Sequence, residues 1–226
     1  MITLENLVND FLYEPHKFFK YSDLNGNSLN KEFRFDNYEH YLQEYLGFFK
    51  NESNLKDVLS YACCGVFKIS RNNQTFLIRH NHQEYFKGTN GSYRGLPLED
   101  GKIIARLTHE RLNDIKKVEN FDDLHNIIKE CSEVNAKFGQ LSIYDAAIRT
   151  GSFLGIKPDF VYIHTGVRAG VTVLEELGYT KEQLSNRLYA PLKDFPVEMH
   201  IMTEIGAENF SCTDKDRFKK LPPKGR

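Results

Sequence analysis

The chain has 226 residues, a formal net charge of −1, 40% hydrophobic and 27% charged residues, and four cysteines. That is enough chain to bury a sizeable core, and its composition is that of an ordinary globular protein rather than a disordered or fibrous one. The near-zero charge excludes a global field that draws the protein to nucleic acid or to a membrane, so any such role must rest on a local patch.

The N-terminus, ITLENLVNDFLYEP, has early acids and no basic leader, and no apolar run approaches the roughly 20 residues that span a bilayer. Cys63, Cys64, Cys131 and Cys212 form neither a CxxC pair nor a zinc-finger spacing, which suits reduced thiols inside a cell. The expectation is a cytoplasmic protein with no membrane partner; its oligomeric state stays open.

Leu4, Leu7, Val8, Phe11 and Leu12 predict a helix over 3–13, stopped by Pro15. Tyr38, Tyr41, Tyr45, Phe48 and Phe49 recur at helical spacing behind Asp36, an aromatic stripe of the kind that fills a core. Residues 54–64 read as another helix. Val66–Ser70 and Thr75–Arg79 then read as a β-hairpin turning at Asn72-Asn73. From Phe86 to Gly101 the chain is a Gly/Asn/Ser-rich surface loop, followed by a helix over roughly 103–116.

Leu124, Ile127, Ile128, Cys131 and Val134 give the cleanest helical period, over 122–134, and a break at 135–139 leads to a second helix over 141–154. Pro158 opens either a short helix or an extended piece. Gly166 precedes a helix ending at Gly178, and Thr180-x-x-Gln183 marks a further helix stopped by Pro191. The end, DKDRFKKLPPKGR, reads as a basic, mobile tail. The expected class is mostly α: a single globular helical domain with a small β-hairpin at about 66–79. Its parts would be an aromatic-rich helical portion with the hairpin over 1–100, a helical core with glycine turns over 101–205, and the basic tail over 206–226.

The stretch from Val134 to Gly178 carries most of the chemistry-bearing residues. It sets Gly139, Gly151, Gly155, Gly166 and Gly170 beside Lys137, Asp145, Arg149, His164 and Arg168, and glycines at helix starts let backbone N–H groups face an anion. The two amphipathic helices joined at Lys137-Phe138-Gly139 resemble a helix-hairpin-helix unit over about 122–154. The resemblance implies that amides of this turn hold a DNA phosphate, although Lys137 stands where the family has its first glycine. IYDAAIRTGSFLGI is also similar to the helix bearing the catalytic aspartate of helix-hairpin-helix DNA glycosylases. Asp145, however, follows Gly139 by only six residues, and Leu141 stands where that family's lysine nucleophile would sit. An i,i+4 ion pair accounts for Asp145 and Arg149 without it.

His164-Thr165-Gly166-Val167-Arg168 offers a second bend for a phosphate, with Thr165 as the plain alternative, a helix cap. On an extended strand His80 and His82 would share one face, as metal ligands do, yet no third ligand stands at recognisable spacing, and no metal or cofactor is expected. The lead expectation is a protein that binds nucleic acid or a nucleotide phosphate through Lys137, Gly139, Thr165, Gly166 and Arg168. The alternatives are a small-molecule enzyme drawing its acid–base groups from His164, Arg168, His80, His82 and Asp145, and a non-enzymatic interaction protein.

Overall fold

The computed structural model describes residues 2–24, 27–87, 92–180 and 183–224. The class is the expected one, mostly helix with small two-stranded sheets. Its contacts separate two compact units, one of Met1–His16, Asp36–Tyr38 and Pro158–Arg226, the other of Lys17–Phe35 and Glu39–Lys157. No described helix is long and apolar enough to cross a membrane.

In the first unit, α1 (Leu4–Tyr13) opens on a capping box in which Thr3 and Asn6 satisfy each other's backbone, and it buries Leu4, Leu7, Val8 and Phe11. The segment after Pro158 is extended: β7 (Val161–Tyr162) pairs antiparallel with β8 (Tyr189–Ala190). Between them runs α8 (Thr165–Glu176), followed later by α9 (Glu204–Thr213) and α10 (Lys215–Phe218). Phe210 meets the Phe11 ring at 5.2 Å and the Phe218 ring at 5.0 Å, which ties these helices together.

The helix expected over 180–191 does not form. Leu184–Asn186 makes one 3-10 turn before β8; Lys181 and Glu182 of the proposed capping box lie outside the described residues. Tertiary partners outcompete the local pattern here. The Glu175 carboxylate accepts from both the amide and the hydroxyl of Ser185, and Arg168 donates to the carbonyls of Ser185 and Arg187. The segment expected as a mobile tail is likewise ordered through α10: Phe218 and Leu221 are buried, and Arg217 pairs with Asp10 and Asp214.

The second unit starts with a strand pair that the sequence reading did not foresee, β1 (His16–Ser22) and β2 (Ser28–Phe35). Its alternation is inverted: Phe19 and Tyr21 are exposed while Lys20 is buried, so no apolar period of two marks β1. Then come α2 (Tyr38–Lys50), whose first residue the first unit holds, and α3 (Leu55–Cys64); of the aromatic stripe Tyr38, Tyr41, Tyr45 and Phe49 are buried as expected, and Phe48 is half-buried. The hairpin of β3 (Val66–Arg71) and β4 (Gln74–Arg79) has the expected turn, with Asn72 and Asn73 both at positive φ, the geometry of the tight two-residue hairpin loop.

Within the expected surface loop lie two short paired strands, β5 (Phe86–Lys87) and β6 (Tyr93–Arg94). After them α4 (Leu98–Glu110) begins earlier than expected and is followed by α5 (Leu112–Ile115). The pair α6 (Phe121–Ser132) and α7 (Gln140–Leu154) completes the unit. Val134 lies beyond α6 and is exposed rather than part of its buried stripe. α7 is buried on nearly every side from Ile143 to Gly151, a central helix packed against α3 and α6. A charged pair on such a helix has no water to turn to.

Candidate active site

That pair is Asp145 and Arg149, one helical turn apart, with Arg149 Nη2 3.2 Å from Asp145 Oδ2. Arg149 is fully buried. Its fork also donates to Gln83 Oε1 at 2.8 Å, to the Tyr45 hydroxyl, and to the Ala62 carbonyl at 2.9 Å. Ala62 belongs to the last turn of α3, where its carbonyl also accepts from the Gly65 amide at 3.2 Å and the helix dipole favours a cation. One guanidinium thus joins three elements and neutralises the carboxylate beside it.

His80 and His82 reach this pair from a turn rather than from the extended strand expected. β4 ends at Arg79; the amides of Gln83 and Glu84 both donate back to the His80 carbonyl at 3.0 Å, which folds 80–84 tightly. The His80 amide donates to Gly65 O at 2.7 Å. Gly65 closes α3 in the left-handed region at φ 68°, and a β-carbon there would sit 2.8 Å from Gln83 Oε1. Glycine is required twice over, for the backbone and for the room Gln83 occupies.

His82 Nδ1 lies 3.1 Å from Asp145 Oδ2, and Gln83 Nε2 donates to the same oxygen at 2.9 Å. With Arg149, three donors converge on Oδ2, whereas Oδ1 has no hydrogen-bond partner among the described residues. The carboxylate is nine-tenths buried and the His82 side chain a quarter exposed. Burial alone would raise the Asp145 pKa. The charges of His82 and Arg149 and the His82 hydrogen bond reverse that and hold the carboxyl well below its usual range.

His80 stacks on Tyr45 at 5.0 Å, its Nε2 lies 3.0 Å from the Tyr41 hydroxyl, and its Nδ1 accepts a long contact from the His82 amide at 3.4 Å. That pattern puts the proton on Nε2 and a lone pair on Nδ1, 4.0 Å from Asp145 Oδ2. Burial, then the neighbouring His82, lowers the His80 pKa well below the ordinary imidazole value, so the ring is neutral. The third partner missing from the sequence is therefore Asp145, 63 positions after His82.

No protein family, curated protein or solved structure matches this chain.

The other predicted residues are placed differently. Lys137 and Gly139 lie in this same unit, at the entry to α7. The Lys137 amide donates to Asn135 Oδ1 and the Phe138 amide to Asn135 O, but α7 starts at Gly139 with no side-chain cap. His164, Thr165, Gly166 and Arg168 lie in the first unit, and the partners described for them lie there too. His164 rather than Thr165 caps α8: its Nδ1 accepts from the Gly166 amide, and its Nε2 forms a buried pair with Glu208. Arg168 donates to the carbonyls of Ile163, Ser185 and Arg187, which makes it a latch on the loop before β8. Gly166 and Gly170 are interior to α8, not at turns. Gln83, Tyr41 and Tyr45 were missed: Gln83 carried no motif, and the tyrosines' helical spacing marked them only as core.

Proposed function

We propose that the second unit houses an enzyme site for a small molecule, in which the imidazole of His82 moves a proton and Asp145 orients it. One observation carries the reading. Three donors meet a single oxygen of a nearly buried carboxylate, directly beneath an imidazole that solvent still reaches. Burying an ion pair is roughly neutral for stability compared with apolar packing, so core formation gives no reason to gather these groups. Holding a proton-transfer group in one orientation does. A hydrogen bond from Nδ1–H to Asp145 leaves Nε2 as the basic nitrogen and stabilises the imidazolium formed when it takes a proton.

The test is a panel of chromogenic carboxylic esters, phosphomonoesters and phosphodiesters with purified protein. Turnover of one class is expected, and His82→Ala and Asp145→Asn should each lower kcat/KM by about 100-fold. Activity that is absent throughout, or unchanged in both variants, overturns the reading.

A second reading, phosphate or nucleic-acid binding at the Lys137–Gly139 bend, is favoured by the uncapped start of α7 together with an exposed Lys137 side chain. It accords with the helix-hairpin-helix resemblance. Affinity for short duplex DNA should then fall steeply between about 50 and 200 mM salt, and Lys137→Glu should weaken it at least about tenfold. Salt-insensitive binding, or none at micromolar protein, removes this reading.

A further inference from the structure

We infer that His80, His82 and Asp145 form a binding site for a divalent transition cation of the zinc class; the inference rests on the reading of this site as enzymatic, and with the ion bound His82 would be a ligand rather than the group that moves the proton. One ligand atom from each of the three residues lies within 4.8 Å of the other two, the spacing that a single ion closes. Two imidazoles and a carboxylate are the donor set that zinc and its neighbours select over calcium or magnesium, which prefer oxygen alone.

Two of the three ligands are already held as metal ligands are held. His80 directs Nε2 to the Tyr41 hydroxyl at 3.0 Å, which leaves Nδ1 as the lone-pair nitrogen on the side of Asp145. Its ring is fixed by stacking on Tyr45. Asp145 has Oδ2 braced by Gln83 and Arg149, and Oδ1, in a side chain nine-tenths buried, has no partner among the described residues. Orientation of ligands by an outer ring of hydrogen bonds is a common property of functional metal sites. An incoming ion displaces the His82 amide contact to His80 Nδ1, at 3.4 Å, and takes the place of the proton between His82 Nδ1 and Asp145 Oδ2.

Charge decides what kind of metal site this is. Arg149 already balances Asp145, so an ion bound here keeps both of its positive charges. The three protein ligands leave at least one coordination position open. The site would therefore complete itself with an anion, either hydroxide from water or an anionic group of the substrate, and its affinity would be moderate rather than that of a closed structural zinc site.

Full-length protein stripped with a chelator and titrated with zinc(II) in a calorimeter should bind one equivalent with a micromolar or tighter constant. His82→Ala, whose ring is a quarter exposed, should weaken binding by about 10–100-fold or more, while His200→Ala, at a first-unit histidine whose Nε2–H donates to the Phe195 carbonyl, should leave it unchanged. On the wild-type protein, cobalt(II) should give the intense visible bands of a four- or five-coordinate ion. No stoichiometric zinc binding overturns the proposal, as does binding that survives His82→Ala, or a cobalt spectrum of the octahedral aqueous ion. Calorimetry needs no substrate, so its failure is separate from failure of the activity panel. Turnover by chelated protein with no zinc bound would retain the acid–base reading and remove the metal.

Discussion

Replacing Arg149 with methionine is expected to cost about 3–5 kcal/mol of stability, read as the shift of the urea unfolding midpoint at unchanged slope. Methionine keeps most of the buried volume, so the loss reports charge and hydrogen bonding rather than a cavity. Removing the guanidinium leaves the Asp145 carboxylate in a nearly dry site without its counter-charge, and removes one donor each from the Ala62 carbonyl, the Tyr45 hydroxyl and Gln83 Oε1. For a chain of this length the thermal midpoint should fall by roughly 6–20 °C. Arg149→Lys should recover less than half of the loss, because a single ammonium cannot address four acceptors spread around a planar fork. Combining Arg149→Met with Asp145→Asn should be less damaging than Arg149→Met alone, since it removes the stranded charge. A loss below about 1 kcal/mol, or full rescue by lysine, would show that solvent reaches the pair and that the brace beneath His82 is not rigid.

Where local periodicity carries the information, the fold was readable. The caps and stripes of α1, α3 and α6 and the Asn72-Asn73 hairpin each involve residues within a few positions of one another, so their physics is written in consecutive letters. The β1–β2 pair was hidden because its inner face buries Lys20, whose charge is met by Glu84, 64 positions away. The false helix over 180–191 failed for the same reason, with Arg168 and Glu175 drawing that segment into a loop. At the candidate site the sequence offered both histidines and the Asp145–Arg149 pair. It could not join them, because their meeting depends on the turn at Gly65 and on burial of α7. The tyrosines show the limit most plainly: one spacing serves a core stripe and, in Tyr41 and Tyr45, the support of an imidazole and a guanidinium.

Gly170 illustrates a glycine whose neighbour, rather than its φ, sets its identity, and Gly170→Ala should lower stability by about 3 kcal/mol or more. In an exposed helix the same change would stabilise by about 1 kcal/mol, through helix propensity. Here the added β-carbon would lie 1.9 Å from the backbone oxygen of Ser211 and 3.3 Å from the Phe218 ring. A carbonyl oxygen cannot rotate away as a side chain can, so α8 and α9 would have to separate by about 1 Å, loosening the contacts along their length. A β-carbon added to Gly166, four residues earlier, would lie 2.3 Å from the Cys212 sulfur, and Gly166→Ala should cost less because that side chain can move. Gly139→Ala is the matched comparison: its β-carbon would meet nothing within 4 Å, and the change should stay within about 1 kcal/mol. If urea unfolding ranks the three in that order, Gly166 and Gly170 serve the approach of one helix to another, and the glycine-rich stretch divides into packing positions in α8 and an open helix start at Gly139. Equal or increased stability in Gly170→Ala would mean that α8 and α9 do not pack this closely, and the assignment of Gly166 to packing rather than to a ligand would fall with it.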